Sequence, residues 1–300
     1  MAAVSSRAFQ PGTKAIWLFL LPGLIVYGGV VLTPLLGGLW YSLHEFYNFQ
    51  FHWSGLSNYA KLIQDGDFWF TLRNNFIIIV LSVIFQITTA FAIAVLMNSK
   101  MVVAPKLLRT AIFFPVILSP VVTSFVWILV FDINNGLLNS MLESIGLGGL
   151  RQKWLDDPDV VIYSVTVALV WQYIGLFLVI FLSGLSAINQ ETIEAAEVDG
   201  ASTFQKTVFV IFPQLASTWS VAMVLAISGG LKIFEHIYIM TGGGPGLSST
   251  VVAQYAYSQS FLRTQFGYGN TIAIAIVILS LVFVSLTIFV FNRFVVKDRV

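Results

Sequence analysis

The chain has 300 residues, of which 57% are hydrophobic and only 10% are charged, and its mean hydropathy is +0.87. This composition lies far outside the range of soluble domains and indicates an integral membrane protein with one membrane domain. A net charge of +1 gives no reason to expect a nucleic-acid partner, and the lack of cysteine excludes disulfides, thiol catalysis and thiolate metal sites.

Six apolar runs are long enough to cross a bilayer, so we predict an all-α membrane protein with six transmembrane helices. The runs lie near residues 15 to 42, 72 to 97, 107 to 131, 159 to 187, 214 to 240 and 268 to 293. The first run continues well past signal-peptide length, which indicates a retained span. Prolines inside the runs predict kinks, because neighbouring helices can satisfy the freed backbone groups.

The distribution of basic residues predicts the orientation. With six spans both termini share one side, and the loops of that side hold nine Lys or Arg against six on the other. Since basic residues are retained on the cytoplasmic side, we expect both termini in the cytoplasm. The predicted organisation is a cytoplasmic segment over 1 to 14, a membrane domain over 15 to 295 and a cytoplasmic tail over 296 to 300.

The cytoplasmic segment between the fourth and fifth spans carries the signals of two short helices. Asn189 is a candidate N-cap for the first helix, and Gly200 is placed to end it. Ser202 and Gln205 have the spacing of a capping box, so a second helix can begin at once and run to Pro213. The sequence therefore predicts a helix-turn-helix over 189 to 213.

This segment has an unusual surface for so apolar a chain. Glu191, Glu194 and Glu197 recur every three residues and make an acidic stripe on the first helix. An apolar stripe follows the second helix at Phe204, Val208, Ile211 and Phe212. A helix lying on the membrane surface is one interpretation. The acidic face favours a docking element for a soluble partner instead, because the inner leaflet is itself negative.

Polar residues within spans predict where a translocation path runs, since they are costly in lipid and usually face the interior. Gln172 and Tyr173 lie about 17 residues before Asn189, or ~25 Å at helical rise, and Gly230 lies 17 residues after Pro213. Equal heights on neighbouring spans indicate one chamber in the outer half of the membrane. Interhelical packing is an equally good interpretation of these residues.

The outer end of the fifth span carries a charged cluster. Lys232, Glu235 and His236 fall on one helix face at i, i+3 and i+4. They are either a self-paired cluster that snorkels to the interface or part of a gate. The three outer segments, 43 to 71, 132 to 158 and 241 to 267, carry turn residues and are predicted to be ordered loops.

Several motifs, taken together, resemble a known family. Glu194-Ala195-Ala196, Asp199-Gly200-Ala201 and Pro213 resemble the EAA motif of inner-membrane permease subunits of ABC importers. "RTAIFFPVILSPVVTSFVWILVF", "VALVWQYIGLFLVIFLSGLSAI" and "MTGGGPGLSST" are similar to the sugar-uptake branch, the maltose-permease and glycerol-phosphate-permease type. The resemblance covers roughly residues 15 to 295.

The resemblance implies a type I ABC importer permease fold and a role for individual residues. Coupling to separate ATPase subunits is expected at Glu194, Ala195, Ala196, Asp199, Gly200 and Ala201. The family's sugar-contact positions fall on Gln172, Tyr173, Leu176 and Gly230, and the expected substrate path includes these residues together with Lys232 of the charged cluster. The outer loop with Gly243, Gly244 and Pro245 is expected to meet an external solute-binding protein.

The expected assembly contains a second homologous permease subunit, two ATPase subunits, the binding protein, a sugar or polyol substrate and membrane lipid. No metal or cofactor is expected. The chain has no G-x-x-x-x-G-K-[ST] motif, so ATP hydrolysis is assigned to partners and the chain itself is not an enzyme. The expected location is the inner membrane of a bacterium or archaeon. An ion-gradient-driven secondary transporter is the alternative, but it predicts an ionisable residue near the midplane that the sequence does not place there.

Overall fold

The structure is a computed structural model that describes residues 13–98, 102–291 and 293. The predicted tail over 296 to 300 and nearly all of the segment over 1 to 14 lie outside these residues. The orientation of the two ends therefore stays a prediction.

The described chain is mainly helical. Its α-helices are α1 (Thr13–Tyr27), α2 (Thr33–Ser42), α3 (Ser57–Gln64), α4 (Gly66–Leu81), α5 (Thr88–Asn98), α6 (Pro105–Ile117), α7 (Pro120–Phe131), α8 (Leu137–Ser144), α9 (Val161–Ser186), α10 (Gln190–Val198), α11 (Thr203–Gln205), α12 (Phe212–Gln214), α13 (Ala216–Lys232), α14 (Glu235–Met240), α15 (Val252–Tyr257) and α16 (Phe266–Val290). A short 3₁₀ turn spans Gly148–Leu150. Segments of π-helix lie at Gly28–Leu32, Ser82–Ile87, Lys206–Ile211 and Ser258–Leu262.

Four continuous helices are long and apolar enough to cross a membrane, and the number rises to six if each of two bent helix pairs is one span. The four are Ile16–Ser42, Gly66–Asn98, Val161–Ser186 and Phe266–Val290. The bent pairs are α6 with α7, at 101°, and Thr203–Gln214 with α13, at 72°. The membrane-helix class predicted from composition is confirmed, and the third span is bent between Pro115 and Pro120, two of the prolines from which kinks were predicted.

The break in the third span has a local cause. Leu118 and Ser119 are extended, and the Ser119 side chain caps α7 by accepting a hydrogen bond from Val122 N at 3.3 Å. Pro120 follows at the first helical position, where its missing N–H costs nothing, and it disfavours helical geometry at the residue before it. One apolar run therefore holds two helices.

A β-hairpin follows the first span, which the all-α prediction missed. Strand β1 (His44–Tyr47) pairs antiparallel with β2 (Gln50–Trp53), and His44 lies opposite Trp53. The connecting residues Asn48 and Phe49 both have positive φ, at 49° and 60°. Two such residues make the tight turn that matches strand twist, but Asn-Phe lacks the glycine by which this turn is usually identified in a sequence.

Three clusters of buried apolar side chains hold the spans together. The cluster nearest the predicted cytoplasmic end packs α5, α9 and α13 through Phe181, Leu178 and Leu215. The middle cluster joins α4, α7, α9 and α14 around Ile78, Val165 and Ile237. The third packs α3, α4, α15 and α16 around Tyr255, Tyr268 and Ile272. By contrast, the first span buries none of its apolar window in this chain, so lipid or another subunit must cover it.

Asp65 joins three helices at the outer end of the bundle. Its Oδ1 accepts hydrogen bonds from the backbone amides of Asp67 and Phe68, which caps α4. Its Oδ2 accepts the hydroxyl of Tyr255 at 2.7 Å and that of Tyr268. Partial burial raises the pKa of Asp65, but the hydrogen bonds from the two tyrosines and the two amides outweigh burial and hold it below its ordinary value of 3.8.

The lowered pKa of Asp65 predicts an acid-dependent stability. Because the folded-state pKa lies below the unfolded value of 3.8, the stabilisation is present above that value and is lost as the pH falls through the folded pKa. We expect Asp65→Asn to melt at a lower temperature than wild type at pH 7, and the difference to shrink below about pH 4. Thermal melting in nanodiscs measures it, with Asp156→Asn in an outer loop as the control. A difference that is constant from pH 7 to pH 3 contradicts the assignment.

Candidate functional site

A cavity of about 270 Å³ lies between the second, fourth and fifth spans. Of the five predicted path residues, Tyr173, Leu176, Gly230 and Lys232 line it. Tyr173 and Gly230, which lie at equal heights on neighbouring spans, therefore face one cavity, whose function is considered below. Its remaining walls come from Ile78, Ser82, Gln86, Leu169, Phe177, Leu225, Ala226, Gly229, Ile233, Glu235 and His236.

Gln172 does not line this cavity. Its side chain is buried, its Nε2 donates to Leu118 O at 3.0 Å, and its Oε1 accepts from Thr123 Oγ1 at 2.8 Å and from His236 Nε2 at 2.5 Å. All of its ordinary hydrogen-bonding positions are therefore used or shielded, and the packing interpretation describes it better than direct sugar contact. The carbonyl that it satisfies, Leu118 O, is one that the break in the third span has freed.

Gly230 lets two spans approach closely. A Cβ at this position would lie 2.4 Å from Ile79 Cγ1 on the second span. Only a residue without a side chain fits there, so the glycine brings α13 against α4 at the edge of the cavity. The resemblance placed Gly230 on the substrate path, and the structure adds a packing role at the same position.

The charged cluster at the outer end of the fifth span does not lie on one continuous helix. α13 ends at Lys232, the backbone is extended at Ile233, and α14 begins at Glu235. In the described part of the chain no ion pair joins Lys232 to Glu235, although both side chains line the cavity and are exposed. His236 turns inward and is buried against Gln172. The single helix face predicted from spacing is wrong because the helix is interrupted at Ile233.

Sequence analysis missed Asn75, which supports the interruption. Its Nδ2 donates to Gly230 O at 2.7 Å and its Oδ1 accepts from Val252 N at 2.9 Å. It thus satisfies an orphan carbonyl near the end of α13 and an orphan amide at the start of α15. The only sequence signal was an Asn-Asn pair inside an apolar run, where uncharged amides are expensive unless they are paired.

The predicted helix-turn-helix is present, and its turn is a Schellman motif. Ala201 N donates to Ala196 O and Gly200 N to Glu197 O, both at 3.0 Å. Gly200 has φ +79°, the left-handed geometry this motif requires at the position after the cap. The Asn189 side chain accepts from Glu191 N, and Ser202 with Gln205 forms the complete capping box. The second helix differs from expectation, because it continues as a π-helix and bends at Leu215 rather than ending at Pro213.

Most of the surface of the helix-turn-helix is exposed in the single chain. Glu194, Ala195, Asp199 and Gly200 are exposed, and Ala196 and Ala201 are half-buried. Lys206 forms an ion pair with Glu197, which ties the second helix back to the first. Phe204 is 74% exposed and Phe209 72% exposed. Apolar side chains this exposed, beside a rigid acidic helix, make a surface suited to a protein partner.

The outer loop with the three glycines is a compact turn. Gly243 has φ +94°, and Gly243 O accepts from Ser249 N at 3.2 Å and Thr250 Oγ1 at 2.9 Å. Ser249 Oγ donates to Gly244 O at 2.9 Å, and the Gly244–Pro245 peptide bond is cis. Asn74 on the second span donates to Leu247 O and Thr250 O. The loop is therefore ordered and held against the second span.

Comparison with known proteins identifies this class of fold. The family model for the inner membrane component of binding-protein-dependent transport systems matches residues 86–297. A probable ABC transporter permease protein of Pyrococcus horikoshii is 35% identical over 92% of this chain and 94% of its own length. The trehalose/maltose transport system permease protein MalF of Thermococcus litoralis is 28% identical over 97% of this chain and 98% of its own length.

A solved structure agrees in fold. A bacterial alginate ABC transporter, in complex with its alginate pentasaccharide-bound periplasmic protein, contains a chain that superposes with a TM-score of 0.81 at 22% identity. The match covers 93% of this chain and 94% of that one. The chain has the fold of a type I ABC importer permease. It belongs to the family of inner membrane components of binding-protein-dependent transport systems, as its sequence motifs predicted. It is a multi-pass membrane protein and a transport subunit rather than an enzyme.

Proposed function

We propose that this chain forms part of the translocation path of an ABC importer for a sugar, oligosaccharide or related polyol. The observation that carries the substrate class is the cavity, in which a tyrosine, a serine and a glutamine are set among apolar side chains. Hydroxyl and amide groups bond sugar hydroxyls, and an aromatic ring can stack on a sugar ring. Relatives named for trehalose, maltose and other sugars support this class.

The proposed assembly contains a second homologous permease subunit, two ATPase subunits and an external solute-binding protein. The coupling residues are Glu194, Ala195, Ala196, Asp199, Gly200 and Ala201, which belong to the exposed helix-turn-helix. The outer loop with Gly243, Gly244 and Pro245 is the proposed contact with the binding protein. We propose that the subunit lies in the inner membrane of a bacterium or archaeon with both termini in the cytoplasm.

The proposed mechanism is rocking of the spans by the ATPase subunits. Movement of the helix-turn-helix passes into α13 through the bend at Leu215, and α13 carries Gly230 and Lys232 of the cavity wall. A rigid, doubly capped segment transmits such a movement better than a flexible loop. An ion-gradient-driven transporter, the alternative, gains no support from the relatives.

Reconstitution of the assembled transporter in proteoliposomes tests the proposed function. The binding protein is first screened against maltose, trehalose, lactose and arabinotriose, and uptake of each bound sugar is then measured with and without ATP. We expect ATP-dependent uptake of at least one sugar. Tight binding and transport of an amino acid or peptide instead contradicts the sugar class, although the permease assignment survives that result.

Gln172 and Tyr173 are expected to behave differently although they are adjacent. Gln172→Ala leaves Leu118 O unpaired, at about 1–3 kcal/mol for a buried group, and leaves His236 Nε2 with only its longer contact to Thr123 Oγ1 at 3.4 Å. We therefore expect a lower melting temperature for Gln172→Ala. Tyr173→Ala also removes a ring packed at the edge of two apolar clusters, so melting is compared with Tyr173→Phe, which is expected to melt near wild type. Tyr173→Ala is expected to slow uptake while basal ATP hydrolysis persists. Melting curves and transport rates of both variants check this, and unchanged transport by Tyr173→Ala removes that residue from the path.

A further inference from the structure

Two side-chain oxygens of the second span, the Ser82 Oγ and the Gln86 Oε1, reach the cavity without a hydrogen-bond partner in the described part of the chain. Ser82 and Gln86 are 6% and 4% exposed, and both line the cavity. In the part of the chain described, Ser82 Oγ makes no hydrogen bond. Gln86 makes one, from its Nε2 to Leu169 O at 3.3 Å, so its Oε1 has no donor there. Neither the Ser82 Oγ nor the Gln86 Oε1 is sealed inside the protein, so both oxygens are open to the cavity and can bind a group that enters it.

The backbone explains how both side chains face the same space. Ser82–Ile87 is a π-helix within the long second span, and Ser82 and Gln86 are its first and fifth residues. A π-helical turn re-aims side chains relative to the flanking α-helix, and such turns occur often at functional sites. Here the turn lies where the second span passes the fourth, since Gln86 contacts Leu169 O.

The other residues that line the cavity offer few neutral hydrogen-bonding groups, so Ser82 and Gln86 are the main ones. Of the four positions that the family resemblance assigns to the path, Leu176 is apolar, Gly230 has no side chain and Gln172 is engaged elsewhere. Tyr173 contributes a hydroxyl, and Lys232 and Glu235 contribute charges of both signs that sum to zero. A neutral ligand rich in hydroxyls matches this lining, because hydroxyls both donate and accept.

We propose that Ser82 and Gln86 are substrate-contacting residues that bind hydroxyl groups of the transported sugar through the Ser82 Oγ and the Gln86 Oε1. The inference rests on the proposed sugar import and adds a binding contribution from the second span, outside the motifs by which the family is identified. The two groups determine which hydroxyl patterns the membrane site accepts, after the binding protein has made its own selection.

The test uses the reconstituted transporter with its binding protein and the panel sugar that wild type transports fastest. Uptake is measured at saturating loaded binding protein for wild type, Ser82→Ala, Gln86→Leu and the double variant. Phe85→Leu, an exposed residue of the same π-helix, is the control for disturbance of the turn. Each hydrogen bond lost to the sugar is expected to slow uptake roughly two- to tenfold, whereas Phe85→Leu keeps the wild-type rate. Gln86→Leu also removes the bond to Leu169 O, so its melting temperature is expected to fall.

A set of monodeoxy analogues of that sugar separates contact from structure. If Gln86 Oε1 accepts a hydrogen bond from one hydroxyl, wild type transports the analogue lacking that hydroxyl more slowly than the parent sugar, and Gln86→Leu transports the two at equal rates. A purely structural role slows both sugars equally. The inference is overturned if the double variant matches wild type, or if every analogue shows the same ratio in wild type and variants. Failure of the proposed function is a separate result, in which wild type itself transports no sugar and the inference fails with it.

Discussion

Replacement of Gly200 by Val is expected to abolish sugar uptake and substrate-stimulated ATP hydrolysis while the subunit stays in the membrane. Gly200 has φ +79°, and a β-branched residue is strongly disfavoured in that geometry. A Cβ at Gly200 would meet nothing within 4 Å, so the whole effect comes from the backbone. The Schellman bonds from Gly200 N and Ala201 N break, and the angle between the two coupling helices is lost.

Because the effect of Gly200→Val comes from the backbone geometry, a residue that tolerates that geometry is a matched control. Asn tolerates the left-handed region at much lower cost, so Gly200→Asn should keep most of the uptake activity.

Glu194→Lys tests the other proposed feature of the helix-turn-helix, its negative charge. Glu194 is exposed, and within the described residues it makes no hydrogen bond, so its replacement leaves the fold intact and reverses a charge offered to the ATPase subunit. We expect Glu194→Lys to lose stimulation and Glu194→Gln to keep part of it.

ATP hydrolysis by the reconstituted complex, with and without loaded binding protein, measures all four variants. Co-purification of the ATPase subunits shows whether binding or coupling has failed. Wild-type stimulation in both Gly200→Val and Glu194→Lys would rule out this segment as the coupling element. A loss in Gly200→Asn equal to that in Gly200→Val would show that the side chain, rather than the backbone, causes the defect.

Asn75→Leu is expected to have the largest effect on stability. The change leaves Gly230 O and Val252 N unpaired in a buried site, at about 1–3 kcal/mol for each group. Gly230 O lies near the end of α13 and Val252 N at the start of α15. The change therefore weakens both the contact of α13 with the second span and the start of α15. We expect a clearly lower melting temperature and loss of the ordered outer loop, seen as faster hydrogen exchange across residues 241 to 252.

Asn134→Leu is the matched control, because Asn134 is exposed in an outer loop. Asn74→Leu provides a graded comparison, since Asn74 bonds two loop carbonyls, Leu247 O and Thr250 O, but no element of the fifth span. We expect Asn74→Leu to affect the loop alone. Equal melting temperatures for Asn75→Leu and Asn134→Leu would contradict the capping role of Asn75.

The elements predicted well are those whose signals are local. The cap at Asn189, the turn at Gly200 and the capping box at Ser202 and Gln205 depend on backbone groups within a few residues, and all three are present as predicted. Membrane spans were also found, because hydrophobic length is a property of a short window. Prolines predicted a kink in the third span but not its 101° angle. The break at Ile233 was missed, since an apolar run looks the same whether its helix continues or bends.

In the candidate site, too, some residues were predicted correctly and others were not. Tyr173 and Gly230 were placed in one chamber from their heights alone, and both line the cavity. Gln172, next to Tyr173, was expected to share that role, yet a rotation of one residue along α9 turns it toward Thr123 and His236. Ser82 and Gln86 were not singled out, because their position depends on a π-helical turn that has no distinct sequence signal.

By itself, the sequence determined the membrane class, the approximate spans, the family and the internal structure of the helix-turn-helix. These properties follow from composition, from hydrophobic length and from hydrogen bonds between near neighbours along the chain. Only the tertiary structure decided which polar groups are satisfied and which face open space. That outcome depends on partners far apart in sequence, as with Asn75 and Val252, and on helix rotation, which hydropathy does not encode.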